Sequence, residues 1–272
     1  MRHIPFDDDR VPSLGFGTFQ LSTDEAQRCV EVALGVGYRH VDTAQAYENE
    51  EQVGRAIAAS STDRDDLFIT TKVRRANARR EDVHASTRES LTRLGADHVD
   101  LLLLHWPAQD IAPLEETMEA FCEVREAGLT RHIGVSNFPS ELLQRACSLA
   151  PIVTDQVEHH PYLHVDAIRG VLDAHGGFLT AYSPIARGRV LEDPLVKEVA
   201  AEHDATPAQV TLRWLLQKGT VAIPKSAVQE RIRTNFDVFG FELSGDEMAA
   251  IDGLDRGERL IDPPFAPQWD TT

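Results

Sequence analysis

Short apolar runs alternate with amphipathic stretches along almost the whole chain. The short runs resemble strands that are buried on both faces, and we predict strands at 14–18, 39–42, 67–71, 99–104, 132–135, 152–156, 178–182 and 221–223. The longer stretches repeat apolar side chains at helical spacing, and we predict helices at 23–35, 50–59, 80–94, 114–127, 140–149, 166–175, 207–217 and 229–236. Helix-capping residues support several of these boundaries.

Eight strands that alternate with helices in a chain of 272 residues predict the α/β class and a single (β/α)8 TIM barrel. A doubly wound sheet is the competing arrangement, and it usually carries a dinucleotide fingerprint with three glycines. The segment Gly15-Phe16-Gly17 has no third glycine at the required spacing. We therefore reject it as a cofactor fingerprint and favour the barrel.

The two ends of the chain do not follow the strand–helix repeat. Residues 1–12 contain an acidic turn at 7–9 between two short extended pieces. They predict an N-terminal β-hairpin, which we expect to cover the bottom of the barrel. Residues 254–272 predict an extended C-terminal tail over the active-site mouth. Hairpin, barrel and tail together form one predicted domain over residues 1–272.

Charge and cysteine content exclude several classes of protein. The 27 basic and 44 acidic residues give a net charge of −17, which repels nucleic acid and anionic lipid, so we expect neither as a partner. The basic residues include few lysines, which fits either a high-GC genome or adaptation to high salt. Three scattered cysteines favour neither a disulfide framework nor a metal site. No secretory signal or spanning helix is predicted, so we expect a cytoplasmic protein without a metal.

Four side chains with complementary chemistry stand at the ends of successive predicted strands. Asp42 ends the second strand and Tyr47 follows it, Lys72 ends the third strand, and His105 follows the fourth. In a barrel these ends meet at one mouth. Each residue alone has an ordinary structural explanation, such as a helix cap or a core histidine. Together they suit proton donation to a carbonyl oxygen as a hydride reaches its carbon.

The roles within this group follow from elementary electrostatics. The ammonium of Lys72 is expected to lower the pKa of the Tyr47 phenol by favouring its anion. The Asp42 carboxylate would keep the lysine charged and oriented. A neutral His105 could form a hydrogen bond with a substrate carbonyl oxygen.

The sequence resembles the aldo-keto reductase family through motifs that run in order over nearly the whole chain. They are Gly15-Phe16-Gly17-Thr18, the segment from Asp42 to Glu50, Lys72, Leu104-His105-Trp106-Pro107, Gly134-Val135-Ser136-Asn137-Phe138, Gln156-Val157-Glu158, Pro161-Tyr162, Ala181-Tyr182-Ser183-Pro184, and Ile223-Pro224-Lys225-Ser226 with Arg231 and Asn235. The resemblance implies Tyr47 as general acid, with Lys72 adjusting its pKa, Asp42 pairing with Lys72, and His105 orienting the carbonyl group.

The resemblance also implies a nicotinamide cofactor. Ser136, Asn137 and Gln156 would hold the nicotinamide carboxamide, Tyr182 would stack on the ring, and Ser183 would join this site. The family's contacts to the adenosine 2′-phosphate, which imply NADPH rather than NADH, carry over to Lys225, Ser226, Arg231 and Asn235. Two residues depart from the pattern. Asp155 stands where many relatives have asparagine, and Thr234 stands where some relatives carry an acidic residue.

The implied substrate is a small carbonyl compound. Phe19, Trp106 and Trp269 are expected to line its pocket beside Tyr47. The tail, with Arg259 and a closing Ala-Pro-Gln-Trp-Asp, resembles the bacterial branch that reduces methylglyoxal or 2,5-diketo-gluconate. Relatives of this kind are often monomers, and we expect a monomer. Two alternatives stay open, namely a regulatory subunit of the same fold, as in potassium-channel β subunits, and a sugar-phosphate isomerase on the same barrel.

Overall fold

A computed structural model describes residues 2–6 and 9–270 of the chain. Two residues of the predicted acidic turn, Asp7 and Asp8, lie outside the described residues, as do the last two residues of the tail. The strands in the described part of the chain are β1 (His3–Phe6), β2 (Asp9–Pro12), β3 (Phe16–Gly17), β4 (His40–Asp42), β5 (Phe68–Val73), β6 (Val99–Leu104), β7 (Thr130–Ser136), β8 (Ile152–Glu158), β9 (Phe178–Tyr182) and β10 (Val221–Ala222).

Helices follow most of these strands, as the sequence predicts. They are α1 (Thr23–Val36), α2 (Glu50–Ala59), α3 (Arg80–Leu94), α4 (Leu114–Glu126), α5 (Ser140–Leu149), α6 (Asp166–Ala174), α7 (Pro194–Glu202), α8 (Pro207–Gln217), α9 (Gln229–Phe236) and α10 (Gly245–Asp252). The eight predicted helices are present, with ends that differ by one residue at most. The helices α7 and α10 were not predicted, although each begins at a capping side chain, Asp193 or Ser244.

Strands β3 to β10 form one parallel sheet in sequence order. Its first and last strands meet, because the Gly15 amide donates to the Ala222 carbonyl and the Ala222 amide donates to the Ser13 carbonyl, each at 2.9 Å. A parallel bridge between Leu14 and Ala222 lies at the same junction. This arrangement confirms the predicted (β/α)8 barrel, in which functional side chains gather at the carboxyl ends of the strands.

The four consecutive leucines of β6 show how the barrel is packed. Leu101 and Leu103 belong to the apolar cluster inside the barrel, whereas Leu102 and Leu104 pack in the cluster shared with the helices. Successive side chains of a strand point to opposite faces. Since both faces are buried, the sequence is apolar at every position rather than at alternate ones.

The predicted N-terminal hairpin is present and packs against the strand starts. Strands β1 and β2 pair in antiparallel fashion, and Phe6 lies in the inner cluster with its ring 4.8 Å from that of Phe178, the first residue of β9. Asp9 accepts a hydrogen bond from His132 at 2.9 Å and pairs with Arg131 at 3.0 Å. Apolar contacts and ion pairs therefore join the hairpin to the end of the barrel opposite the strand carboxyl ends.

Candidate active site

A cavity of about 750 Å³ opens at the carboxyl ends of the strands. Most of the predicted site residues line it, namely Phe19, Asp42, Tyr47, His105, Trp106, Ser136, Asn137, Gln156, Tyr182, Ser183, Lys225 and Arg231. Four predicted residues do not line it, namely Lys72, Ser226, Asn235 and Trp269. Sequence reasoning missed Arg187, Gly188 and Ile261, which also line the cavity. Arg187 and Gly188 lie in the segment that follows strand β9, and that position in a barrel was the available signal.

Lys72 lies behind the cavity wall and uses all three of its N–H donors. Its Nζ donates to Asp42 Oδ1 at 2.5 Å, to the Thr43 carbonyl oxygen at 2.9 Å and to the Tyr47 hydroxyl at 3.3 Å. Lys72 and Asp42 are both buried, so water does not screen either charge. Each charge is stabilised in the interior by its ion pair with the other. The lysine thus connects the carboxylate to the phenol, as the sequence predicts.

Gln156 belongs to the same hydrogen-bonded group. Its Nε2 donates to Asp42 Oδ2 at 2.7 Å, so both oxygens of the carboxylate have partners. One of the two N–H donors of the Gln156 amide is therefore used within the protein. Its oxygen remains to accept a hydrogen bond from the N–H of a carboxamide in the cavity.

The pKa of Tyr47 shifts in the direction opposite to the prediction. Burial, followed by the nearby Asp42 carboxylate, raises the pKa of the phenol well above its usual value. The expected lowering by Lys72 is wrong, because burial of the phenol and the Asp42 charge both act in the opposite direction. Burial also lowers the pKa of Lys72, and Asp42 opposes that shift. The phenol is accordingly protonated at neutral pH.

His105 stands beside Tyr47 at the mouth of the barrel. The two rings meet edge to face with their centroids 5.5 Å apart. Burial, with a smaller contribution from the charges of Lys72 and Arg74, lowers the pKa of His105 to about 3. The imidazole is thus neutral, as predicted, and one ring N–H can donate to a carbonyl oxygen.

Ser136, Asn137 and Tyr182 form a connected group in the cavity wall next to His105. Asn137 Nδ2 donates to Ser136 Oγ and to the His105 carbonyl, each at 3.0 Å. The Tyr182 hydroxyl donates to Asn137 Oδ1 at 2.7 Å. Asn137 has a left-handed backbone, with φ at 66°, a conformation that asparagine tolerates better than most residues. The turn after β7 thereby places these polar groups at the cavity wall.

Cations lie at the far end of the cavity. Lys225 follows β10, and Arg231 stands in the first turns of α9. Ser226 instead shapes the turn between them, since its hydroxyl accepts from the Val228 amide at 3.1 Å, and Asn235 is buried within α9. The structure therefore brings two of the four predicted phosphate contacts to the cavity surface.

Aromatic side chains surround the mouth. The ring centroids of Phe19 and Tyr47 are 5.1 Å apart. Trp269 packs behind Trp106, with centroids 6.1 Å apart, so it supports the pocket wall rather than forming it. Phe265, which was not predicted, also packs on Trp106 at 5.5 Å. The tail thus reaches the mouth of the barrel in the described residues.

Comparison with known proteins identifies the family. The model of the Aldo/keto reductase family matches residues 13–256. The chain belongs to the aldo-keto reductase family. An aldo-keto reductase of Mycolicibacterium smegmatis is 45% identical over 261 residues, which cover 95% of this chain and 92% of that protein. Methylglyoxal reductase DkgB of Escherichia coli O157:H7 is 40% identical over 265 residues, which cover 96% of this chain and 99% of that protein.

Solved structures agree with this assignment. The crystal structure of a protein provisionally named 2,5-diketo-D-gluconic acid reductase B is 46% identical, has a TM-score of 0.94, and matches 96% of this chain and 94% of that one. An aldo-keto reductase of Bombyx mori in complex with NADP is 34% identical with a TM-score of 0.88, and the match covers 96% of this chain and 95% of that one. This aldo-keto reductase is therefore an oxidoreductase that acts on carbonyl groups.

The cavity of the reductase fits a nicotinamide cofactor in its donors, acceptors and charges. The free Gln156 oxygen can accept from the carboxamide, and the Tyr182 ring offers an aromatic surface to the nicotinamide. Lys225 and Arg231 supply positive charge for phosphate groups.

Two further observations concern the described part of the reductase as a whole. There, no group of three or more His, Cys, Asp or Glu side chains is arranged to hold a metal ion. Across the same residues, none of the helices is both long and apolar enough to cross a membrane.

Proposed function

We propose that this aldo-keto reductase uses NADPH to reduce small aldehydes and ketones, such as methylglyoxal or keto-sugars, to alcohols. The observation that carries the proposal is the Tyr47 hydroxyl inside the cavity, 3.3 Å from Lys72 Nζ and beside the neutral ring of His105. The names of two similar proteins, a methylglyoxal reductase and a 2,5-diketo-D-gluconic acid reductase, support the substrate class.

When bound, the nicotinamide supplies the hydride to the carbonyl carbon. Tyr47 then donates its proton to the carbonyl oxygen, where negative charge develops. Its raised pKa keeps the proton in place until that oxygen becomes basic. As the proton leaves, Lys72 Nζ donates to the resulting phenolate, and Asp42 holds the ammonium in place. His105 orients the carbonyl by a hydrogen bond to its oxygen.

The cationic end of the cavity supports the preference for NADPH over NADH. Lys225 and Arg231 would bind the 2′-phosphate that distinguishes the two cofactors, because a charge-assisted hydrogen bond to phosphate is strong. On a chain with a net charge of −17 these cations form a local positive region. Salt is expected to weaken NADPH binding there by screening. A cytoplasmic location and a monomeric state stay predictions from the sequence.

The proposal is tested by following NADPH oxidation with methylglyoxal, with NADH in a parallel reaction. We expect turnover that prefers NADPH. We expect the Tyr47→Phe variant to bind NADPH as the wild type does, while kcat falls by about 100-fold or more, because a proton donor contributes about 100-fold to 10,000-fold to the rate.

Two outcomes would contradict the proposal. Wild-type turnover by Tyr47→Phe would remove Tyr47 from the role of general acid. NADPH binding without turnover of any small aldehyde or ketone would instead support the regulatory-subunit alternative.

A further inference from the structure

Two buried amide side chains hold the loop that carries Tyr47. Gln45 and Asn49 stand two residues before and two residues after the tyrosine, in the segment that joins β4 to α2. Both are buried, with exposed fractions of 6% and 1%. Neither takes part in the proposed proton transfer, yet each forms hydrogen bonds through both the oxygen and the nitrogen of its amide group.

Gln45 ties the start of this loop to the end of β5. Its Oε1 accepts from the Arg74 amide at 2.9 Å and from Asn77 Nδ2 at 3.0 Å. Its Nε2 donates to Ser90 Oγ on α3 at 3.2 Å. Arg74 lies two residues beyond Lys72 along the chain, so the same strand end fixes the lysine and the tyrosine loop.

Asn49 ties the other end of the loop to the segment between β3 and α1. Its Nδ2 donates to the carbonyl oxygens of Thr18 at 2.9 Å and Leu21 at 3.3 Å. Its Oδ1 accepts from Thr43 Oγ1 at 3.0 Å. Asn49 occupies the N-cap position of α2, where asparagine normally caps the helix, but its side chain makes no capping hydrogen bond. The Asn49 side chain instead joins its own loop to the segment between β3 and α1.

The Tyr47 ring packs against Phe19 and His105, but its hydroxyl has few partners. Among the described residues, its hydroxyl has a hydrogen bond only with Lys72 Nζ, at 3.3 Å, and its ring is partly exposed in the cavity. The backbone on either side therefore helps to set the distance between the hydroxyl and the lysine. That backbone includes Glu48 in a left-handed conformation, with φ at 56°.

We propose that Gln45 and Asn49 are positioning residues that hold the Tyr47 hydroxyl at the Lys72 ammonium and in reach of the substrate oxygen. The proposal rests on the proposed role of Tyr47 as proton donor. Such positioning matters because a displacement of about 1 Å can cost about 100-fold in rate. Hydrogen bonds hold the loop on both sides of Tyr47. Gln45 bonds to Arg74 and Asn77, and Asn49 bonds to Thr18 and Leu21.

The test compares Gln45→Ala, Gln45→Met and Asn49→Ala with the wild type in NADPH-dependent reduction of methylglyoxal. Gln45→Met keeps the volume of the side chain and removes its hydrogen bonds, so it serves if Gln45→Ala folds poorly. We expect kcat to fall about 10-fold to 100-fold. The Kd for NADPH should change less than about twofold, because neither amide lines the cavity. The solvent deuterium isotope effect on kcat should rise, because proton donation becomes the slow step.

The matched control is Gln209→Ala. Gln209 on α8 is another buried amide side chain, and it does not line the cavity. Its Nε2 donates to the Asp237 carbonyl oxygen at 2.6 Å. The Gln209→Ala variant should be less stable than the wild type but should have the same kcat and the same solvent isotope effect. If the Gln45 and Asn49 variants behave like this control, the proposed positioning role is wrong.

Tyr47→Phe separates this result from a failure of the proposed function. If Tyr47→Phe abolishes turnover while the Gln45 and Asn49 variants keep it, Tyr47 is the donor and the two amides do not position it. If Tyr47→Phe turns over like the wild type, the proposed function fails at its own residue, and the positioning proposal fails with it.

Discussion

At the scale of single residues, the function of this reductase depends on how burial changes the protonation states of its active-site side chains. Burial keeps the Tyr47 phenol protonated and the His105 imidazole neutral. The Lys72 ammonium stays in the interior only because Asp42 pairs with it. The contact between Tyr47 and Lys72 alone does not give the direction of the pKa shift at Tyr47, because burial and the Asp42 carboxylate also act on the phenol.

Arg231 provides the residue-scale test of cofactor choice. In Arg231→Ala we expect the Kd for NADPH to rise at least about 10-fold, because a charge-assisted hydrogen bond contributes about 1.5–3 kcal/mol. The Kd for NADH should change little, since NADH lacks the 2′-phosphate. Titrations of both cofactors measure the difference, with Arg233→Ala on the same helix as the control. Equal losses for the two cofactors would argue against the phosphate assignment.

Asp155 is a buried carboxyl group without adequate partners. It is fully buried, its Oδ1 accepts only from the Phe138 amide at 3.5 Å, and its Oδ2 has no hydrogen-bond partner among the described residues. Burial therefore raises its pKa well above the usual value. Because the folded state holds the proton more tightly than the unfolded chain, this residue makes the protein less stable as pH rises from about 4 toward its folded pKa.

Asp155→Asn should therefore stabilise the protein at neutral pH. An amide carries no charge to desolvate, and we expect a gain of about 1–3 kcal/mol at about pH 8 that shrinks toward about pH 4. Urea unfolding at several pH values measures it. The control is Asp100→Asn, which should destabilise, because buried Asp100 pairs with Arg64 at 2.8 Å and Arg131 at 3.3 Å. A constant difference between Asp155→Asn and wild type at every pH would contradict the assignment.

At the scale of elements, the sequence predicted most helices and strands but not where several strands end. Strands β5 and β8 continue two residues beyond the predicted ends, to Val73 and Glu158. The apolar pattern stops earlier, because side chains near the mouth, such as Lys72 and Glu158, are polar. The family motifs supplied those residues where the pattern could not.

Contacts between distant segments were beyond prediction. Glu158 gave no sign in the sequence that its carboxylate would hold the tail, yet Oε1 accepts from the Leu260 amide and Oε2 from the Ile261 amide, each at 2.9 Å. Gln45 and Asn49 were likewise inside a recognised motif without a visible reason for their identity. Such roles depend on which side chains come into contact in the folded structure, and the spacing of apolar residues along the chain does not predict those contacts.

Glu158→Gln tests whether this tether shapes the substrate pocket. The amide nitrogen of glutamine would face a backbone N–H where a carboxylate oxygen now accepts, which leaves a buried donor unpaired at a cost of about 1–3 kcal/mol. Since Ile261 lines the cavity, we expect KM for methylglyoxal to rise several-fold with a smaller change in kcat. Amide hydrogen exchange at Leu260 and Ile261 should accelerate. Asp270→Asn, at the exposed tie to Ser140, is the control, and unchanged exchange in Glu158→Gln would contradict the tether.

At the scale of the whole molecule, two effects of pH on stability oppose each other. The net charge of −17 creates self-repulsion at neutral pH, which acid relieves as carboxylates are protonated. Buried histidines act in the other direction. Burial lowers the pKa of His40 to about 4, of His105 to about 3, and of His159 well below its usual value. The unfolded chain binds protons at these positions from about pH 6.5 downward, so acid favours unfolding there.

The histidines are expected to outweigh the charge repulsion between about pH 6.5 and about pH 4.5. Each one that is charged only in the unfolded chain contributes up to about 1.4 kcal/mol per pH unit, or about 4 kcal/mol per unit for three, and Asp155 opposes them by up to about 1.4 kcal/mol per unit. Repulsion among surface charges is spread out and screened by salt. Urea unfolding at low and high salt should therefore show a salt-dependent offset at neutral pH and an acid slope that persists in high salt. His159→Asn, which can still donate to the Leu163 carbonyl, should reduce that slope by up to about 1.4 kcal/mol per pH unit. His175→Gln at the surface should leave the slope unchanged. A stability that rises on acidification in high salt would show that these histidines are not held neutral by the fold.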